Sequence, residues 1–501
     1  MYMISRAIST FIDSDRSPAK AAQEAGSSLG AQVPTWVWLM LGIVLTGLAG
    51  NRWNIALLGW VAPVPFLVAV QRLYGWRGAV LLFLTLNVAC ALQVLKIITA
   101  PLSAPMALMF SIPAAVSLWL LLMMWVWICR RLGKVWGLYS YVALMTIGDW
   151  FAFAFSYSGA WPTSANSQLD NLPLLQLASL GGLSLIGALM ALVAGNIFLV
   201  VDSPTPKAYW SHYAFMSVVL IAALGWGSVR LDNLDLGPTI RVGGVITHLG
   251  LGQGTPSSER LSANTDDLFA RSEVAALRGA QIVAWNEVAT LVKPDGEAKL
   301  IERGKELARH SGIDFVMAYG VLLQESPLLI DDKYEWFGPD GEIVEVYRKH
   351  HPVPTEPTLK GDAPIRVLQR PWGRAAGAIC YDYDFPALAR AHAQGGAGVV
   401  MVPGGDWRGI DPYHTLMVRA RAIEGGMAVV RVVRDGTSMM FDQYGRVRAS
   451  LGAWEGNEGI LIGTVPTQHV KTLYTFLGDW PAVVASGFLL VALAAIARRR
   501  S

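Results

Sequence analysis

The sequence predicts a polytopic α-helical membrane bundle of about eight spans plus one α/β domain, because composition and texture split the chain in this way. Its 501 residues are 53% hydrophobic and 15% charged, too apolar and charge-poor for an ordinary soluble protein of this length. At about Arg241 the long apolar segments give way to short β-rich runs, separated by Gly, Pro and Asp turns, as far as about Val470. A formal net charge of +3 is small for the length and gives no reason to expect a nucleic-acid partner.

Residues 1–33 read as a polar tail: "RAISTFIDSDRSPAKAAQEAGSS" mixes charges of both signs ahead of the first apolar run, unlike a cleaved export signal. Within residues 34–230 seven apolar segments follow: Trp36–Gly50, Ile55–Val70, Gly78–Leu95, Met106–Cys129, Val135–Phe155, Leu177–Val201 and Ala214–Trp226. Several fall short of the roughly 20 residues a spanning helix prefers, but flanking Trp, Tyr and small residues extend them. An eighth, Trp480–Ala497, lies in residues 478–501 and is followed by "RRRS". The connections "QRLYGWR" and "CRRLGK" are basic, whereas "TAPLSAP" and "SGAWPTSANSQLDN" are not, so the basic loops and the terminal arginines are assigned to the cytoplasm. The polar half between the seventh and eighth spans then faces outward, into the periplasm if the cell has one. Asp149 interrupts an apolar span near its outer end and reads either as a functional group or as an interfacial residue.

The polar half, taken as a domain over residues 238–472, contains strand-like runs such as "IRVGGVIT", "AQIVAWNE", "DFVMAYGVLL", "GVVMVP", "MAVVRVV" and "GILIGTV". Helical spacing marks "SERLSANTDDLFARSEVAAL", and "YHTLMVRARAIEGG" ends at glycines as helices often do. The Asp-Gly in "FGPDGEIVEVYRK" signals a hairpin.

Three cysteines make no disulfide framework, and Cys90 and Cys129 lie in apolar runs as small core or lipid-facing residues. Cys380 differs: it closes the apolar run "AAGAIC" and opens into "YDYDFP". Glu287 ends "QIVAWNE" and Lys349 ends "EIVEVYRK", so three reactive side chains each follow an apolar strand. Strand ends in α/β folds converge on pockets. A carboxylate to take the thiol proton, a thiolate to attack a carbonyl and an ammonium to stabilise the oxyanion suffice for acyl transfer, with backbone N–H groups after Cys380 as further donors. Taken singly, a Cys after a strand is a buried small residue and a Glu or Lys there a solvated turn residue; the shared setting is what joins them. His350 and His351 point to opposite faces with no Cys or carboxylate at ligand spacing, so no metal is expected. "GQGTPSSE" lacks the Gly-Lys-Ser/Thr ending of a phosphate loop.

"WNE", "YRKHHPVPTE" and "AICYDYD", in this order, resemble the Glu-Lys-Cys motifs of the nitrilase (carbon–nitrogen hydrolase) superfamily, as do "GGDWRG", "YHTLMVRARAIEGG" and "DGTSMMFDQYGRV" further on. The resemblance implies a nitrilase-like αββα sandwich for Arg241–Val470. Seven spans before such a domain and one after it, with "GDWFAFAFSYSGAWPTSANSQLDNLPLLQLASLGG" and "TLYTFLGDWP", resemble the apolipoprotein N-acyltransferase family over nearly the whole chain. That resemblance implies an enzyme, without cofactor or metal, that moves an acyl chain from a phospholipid through a Cys thioester to the α-amine of a diacylglyceryl-cysteine lipoprotein. It implies Cys380 as nucleophile, Glu287 as general base, Lys349 as oxyanion stabiliser and Glu356 as a second carboxylate, with Tyr381 and Asp382 in support. Asn286 stands where the family usually has Pro, and Asp382 where a Glu is common. Only 31 positions separate Lys349 from Cys380, where the family carries a longer arm. A shorter arm motivates the alternative of a related membrane acyltransferase or amidase that uses another amine, or water, as acceptor.

Overall fold

A segment in lipid must satisfy its backbone polar groups internally, and the apolar runs of this protein do so as helices. The computed structural model describes residues 28–100, 102–232, 234, 236–247, 249, 256–452 and 459–499. Residues 1–27 of the polar tail, Gly252–Thr255 of "GQGTPSSE" and the last two residues lie outside the described set. The chain forms two units, Met1–Arg230 with Asp479–Ser501, and Leu231–Gly478.

In the first unit six helices among the described residues are long and apolar enough to cross a membrane: Gly75–Leu95, Met106–Leu132, Lys134–Phe155, Ala178–Asp202, Pro206–Asp232 and Trp480–Arg498. The first two expected spans come out shorter. Thr35–Leu48 has 14 residues, about 21 Å of helix against a hydrocarbon core of about 30 Å. The second is two short helices, Leu58–Val61 and Val64–Val70, parted at Ala62-Pro63. Asn51 and Trp53, both at positive φ, turn the chain between the first and second. Sequence hydropathy does not register these turns, which is why eight spans shrink to six of full length.

Basic residues gather at one end of this bundle. Arg72 and Lys134 both pair with Asp202, at 3.3 and 3.0 Å, and Arg499 donates to the Arg131 carbonyl at 2.9 Å. Asp149 is buried in the helix Lys134–Phe155, where it accepts from the Thr163 hydroxyl at 2.9 Å. Its carboxylate occupies the space that a Cβ on Gly187 would need, so it is packed between helices rather than placed at an interface with solvent.

In the second unit strand periodicity of two builds a four-layer sandwich. One sheet has the order β13-β1-β2-β4-β5-β6 with β3 attached to β4, from β1 (Thr239–Val245), β2 (Ile282–Trp285), β3 (Leu291–Val292), β4 (Asp314–Glu325), β5 (Leu328–Phe337), β6 (Ile343–Arg348) and β13 (Ile460–Pro466). The other has the order β12-β11-β10-β9-β8-β7, from β7 (Leu368–Arg370), β8 (Gly373–Gly377), β9 (Val399–Gly405), β10 (Ala428–Arg434), β11 (Ser438–Phe441) and β12 (Val447–Leu451). β1, β2 and β4 are mutually parallel, as are β8, β9 and β10.

Side-chain alternation assigns the layers. On β4, Phe315, Met317 and Tyr319 pack with Leu268 and Phe269 of the helix Ser258–Leu277 and with Leu300 and Leu307 of the helix Pro294–Ser311. Val316 and Ala318, the intervening residues, face the second sheet and join Ala376, Val400 and Val430 in a core between the sheets. The helices Pro386–Gln394 and Tyr413–Gly425 contribute Leu388, Ala389, Val418 and Ala422 to that same core, completing an αββα sandwich.

Trp336 shows how the core tolerates polar atoms. It is fully buried, and its indole N–H donates to Asp314 Oδ1 at 2.9 Å, while Trp372 donates to Oδ2 at 2.8 Å. Trp336→Ala removes a large side chain from between the sheets at a cost of about 3–5 kcal/mol. The thermal midpoint of the detergent-solubilised protein is therefore expected to fall by at least about 5 °C, measured by scanning calorimetry.

Candidate active site

β8 stops at Gly377, and the chain turns at Cys380 into the short 3-10 segment Cys380–Asp384. Cys380 has φ +47, a left-handed conformation that is costly for a residue with a Cβ. Three other residues beside the site share this feature: Val288 (φ +44), Thr355 (φ +75) and Asp435 (φ +56). Strain concentrated next to Glu287, Glu356, Cys380 and Arg434 persists only because surrounding contacts hold the backbone there.

Asp382 supplies many of those contacts. Its carboxylate accepts from Ile379 N at 3.1 Å, the Tyr347 hydroxyl at 2.8 Å, His350 N at 3.0 Å and His351 N at 2.6 Å. One buried side chain thus fastens the turn that carries Cys380 to the residues directly after Lys349. Burial acts to raise the Asp382 carboxyl, but His351 and these other donors prevail and hold it below the usual range. Asp382 N donates back to the Ile379 carbonyl at 3.0 Å, so of the backbone N–H groups expected as oxyanion donors after Cys380 this one closes the turn instead. Tyr381 packs edge-on against Phe385, with ring centroids 5.5 Å apart. Both rings of the His350-His351 pair are engaged. His350 stacks on Tyr347 at 4.8 Å, and His351 stacks on Phe385 at 3.9 Å with Nδ1 3.1 Å from Asp382.

Lys349 follows β6 and is 1% exposed. Its Nζ lies 2.6 Å from Glu287 Oε1 and 2.7 and 2.8 Å from the two Glu356 oxygens. The ammonium's three protons are all engaged. Burial opposes the Lys349 charge, but Glu287 and Glu356 raise its pKa well above normal; reciprocally, Lys349 outweighs burial and lowers that of Glu287. Asn286 secures the turn at Glu287 by accepting from Thr247 N and donating to the Glu287 carbonyl, both at 2.9 Å, bonds that a proline would not make. Glu356 Oε2 also accepts from Val353 N at 2.8 Å. A third carboxyl, Asp332, is buried 3.7 Å from Nζ; burial first and the Glu287 charge second raise its pKa well above normal.

The thiol faces a different set of groups. Cys380 Sγ is 3.7 Å from the Gly405 carbonyl and 3.8 Å from Arg431 Nη2. Burial, then the Glu287 charge, push its pKa well above normal against Lys349 and Arg431, so the resting group is a neutral thiol that needs a base. Gly405 brings the Glu287 carboxylate and the thiol together: its carbonyl meets Sγ, while a Cβ there would lie 2.9 Å from both Glu287 Oε2 and Arg434 Nη2.

Beyond the thiol is a buried ionic network. Asp406 accepts two parallel bonds from Arg431, both at 2.9 Å. His414 sits between carboxylates, with Nδ1 2.8 Å from Asp406 Oδ1 and Nε2 3.0 Å from Asp384 Oδ2. Burial lowers the His414 pKa, but Asp384 and Asp406 overcome it and raise it to about 9. Two groups have metal-ligand spacing among the described residues, Cys380-Asp406-His414 and Glu287-Asp332-Glu356, and each already faces a cation of the chain, Arg431 or Lys349.

The structure therefore brings Glu287, Lys349 and Glu356 into direct contact, sets Cys380 within their electrostatic reach and gives Asp382 the task of joining two loops. Sequence reasoning assigned no role to Asp332, Gly405, Asp406, His414, Arg431 or Arg434. Several lie in the stretches "GGDWRG" and "YHTLMVRARAIEGG", whose resemblance was visible although their contacts were not.

Comparison with known proteins places two domain models along the chain. Residues 42–196 match the apolipoprotein N-acyltransferase N-terminal domain, and residues 248–474 match the carbon-nitrogen hydrolase model. Both parts of the chain thus match the apolipoprotein N-acyltransferase family. It is 28% identical to the apolipoprotein N-acyltransferase of Bradyrhizobium diazoefficiens over 72% of each chain, and 25% identical to that of Pseudomonas syringae over 79% of this chain and 82% of the relative. Among solved structures, an amidase from Nesterenkonia sp. aligns with a TM-score of 0.38 at 22% identity, over 46% of this chain and 92% of its own.

Two outcomes are expected from this geometry. Gly405→Ala leaves the fold intact, because the obstructing atoms are tips of long side chains, but it displaces the Glu287 carboxylate and lowers acyl-enzyme formation by about tenfold or more, measured by single-turnover assay. His414 has a folded pKa raised above its unfolded value near 6.5, so its stabilising contribution is full below about pH 6.5 and lost as pH rises through about 9. The thermal midpoint of the wild type is expected to decline between pH 7 and 10, and His414→Gln to flatten that part of the decline.

Proposed function

We propose that this protein transfers a fatty acyl chain from a phospholipid, through a thioester on Cys380, to the α-amine of a diacylglyceryl-cysteine lipoprotein. The observation that carries the reading is the meeting of Glu287, Lys349 and Cys380 in the hydrolase part of a chain whose membrane part matches the acyltransferase model. Glu287 takes the thiol proton, and the sulfur attacks the ester carbonyl. Lys349 stabilises the oxyanion, and collapse breaks the ester C–O bond while Glu287 returns the proton to the departing glycerol oxygen. An incoming amine then gives a proton to Glu287 as it attacks the thioester, the C–S bond breaks, Glu287 returns the proton to the Cys380 sulfur and the new amide carries the acyl chain away.

Lys349 can support an oxyanion only by releasing a carboxylate oxygen. Glu356, with its side chain 25% exposed against 5% for Glu287, is the partner positioned to yield. The neutral thiol and the ionised Glu287 are the protonation states the first step requires. On this reading the end of the bundle carrying Arg72, Arg131, Lys134 and Arg499 is cytoplasmic, and the catalytic domain lies on the periplasmic side of a bacterial inner membrane. Holding donor and acceptor at one bilayer surface supplies proximity, and a buried nucleophile shields the thioester from water.

The 31-position link between Lys349 and Cys380 keeps acceptor identity as the point to test. Purified enzyme incubated with phospholipid is expected to gain a hydroxylamine-sensitive fatty acyl mass on Cys380, and a synthetic diacylglyceryl-cysteine peptide to discharge it. An adduct that the peptide cannot discharge points to another amine or water as acceptor. Turnover of small amides without phospholipid identifies an amidase. Cys380→Ser is expected to lose nearly all turnover because an alkoxide forms far less readily than a thiolate, and Glu287→Gln to slow acyl-enzyme formation more than about tenfold. Normal turnover in either variant refutes these roles.

A further inference from the structure

Lys349 favours an anionic sulfur only through space, by its charge, and has no proton to donate to it. Its three protons are directed at Glu287 and Glu356, and it answers to the carbonyl oxygen of the substrate. Yet the sulfur must bear negative charge twice in each cycle, when the thiol is deprotonated and again when it is expelled from the thioester. It does so in a fully buried setting beside the Glu287 and Asp406 carboxylates, where an uncompensated anion is expensive.

The donor inventory of Arg431 identifies the compensating group. This guanidinium is fully buried, and its Nη1 donates to Asp406 Oδ2 at 2.9 Å and to the Thr415 hydroxyl at 2.5 Å. One Nη2 proton goes to Asp406 Oδ1 at 2.9 Å. The other has two neighbours, His414 Nδ1 at 2.8 Å and Cys380 Sγ at 3.8 Å. His414 is no acceptor: each of its ring nitrogens faces a carboxylate, which makes both of them donors. The remaining Nη2 proton is left to the sulfur. Asp406 and Asp384 balance the charges of Arg431 and His414, so the network is neutral as a whole while presenting one N–H of a cation to the thiol.

We propose that Arg431 is a catalytic residue of this enzyme, donating a hydrogen bond to Cys380 Sγ that stabilises the thiolate on attack and on release from the thioester, with Asp406 and His414 holding the guanidinium in place. The proton balance is unchanged from the acyl-transfer scheme on which this rests. The thiol proton passes to Glu287, the S–C bond forms and later breaks, and Arg431 keeps all its protons throughout. The division of labour is a separate cation for each atom: Lys349 for the carbonyl oxygen and Arg431 for the sulfur.

The test is the pH dependence of Cys380 alkylation by iodoacetamide in the full-length, detergent-solubilised protein. It is read by peptide mass mapping so that Cys90 and Cys129 are scored separately. Arg431→Lys, Arg431→Gln and Arg431→Met are compared with the wild type, together with the rate of acyl-enzyme accumulation from phospholipid. The half-maximal pH of alkylation is expected to move up by about one unit or more in the Gln and Met variants and less in the Lys variant, with acyl-enzyme formation slowed about tenfold or more. A wild-type alkylation profile in any folded Gln or Met variant overturns the proposal. So does failure of all three variants to fold, which would mark Arg431 as structural, or a wild-type thiol that alkylates at no pH tested. Alkylation needs no lipid substrate, so a wild type that alkylates as expected but never acquires an acyl chain would refute the acyl-transfer reading and leave the Arg431–thiol contact standing.

Discussion

The buried ammonium of Lys349 is the constraint around which the catalytic unit is arranged. A cation 1% exposed survives only if carboxylates pair with it, and here they come from two separate segments, Glu287 after β2 and Glu356 in the loop beyond β6, with the Asp332 carboxyl of β5 standing 3.7 Å away. Each must end at the right place for the charges to close. The need to neutralise one lysine therefore fixes the relative positions of segments far apart in the chain. The same need keeps Glu287 ionised, because Lys349 outweighs the burial that would otherwise neutralise it.

Cys380 is positioned by other means. Among the described residues no carboxylate hydrogen-bonds to its sulfur; the turn at φ +47 presents it, and Asp382 holds that turn against the residues following Lys349. Gly405 closes the arrangement from the second sheet, since only a residue without Cβ leaves room for the Glu287 and Arg434 tips while its carbonyl meets the sulfur. Strained backbone at Val288, Thr355, Cys380 and Asp435 is the cost of aiming these side chains at one point, offset by a rigid double-sheet core. The membrane unit answers a different physical demand, that of satisfying a polar backbone in lipid. Its polar contacts among the described residues are smaller sets, such as Asp149 with Thr163 and Asp202 with Arg72 and Lys134.

Much of this was legible in the chain because it rests on local signals. Apolar runs in the first part, period-two runs in the second and the helical spacing of Ser258–Leu277 all report the environment of single segments. Glu287, Lys349 and Cys380 were recognisable because each ends an apolar strand run, and strand ends of α/β sheets are where side chains converge. The number of full-length spans was not legible in the same way, since the turns at Asn51, Trp53 and Pro63 break helices without altering average hydropathy.

Asp332, Gly405, Asp406, His414 and Arg431 were out of reach for a physical reason. A buried charge is recognised by its partners, and those partners lie on other strands: Arg431 is 51 positions from Cys380, and Lys349 is 62 from Glu287. Local pattern determines which segments become strands and helices and which side chains stand at their ends. Only the stacking of two sheets decides that one cation closes on Glu287 and Glu356 while another is directed at the sulfur, because electrostatics at 3 to 4 Å depends on distance through space and not on separation along the chain.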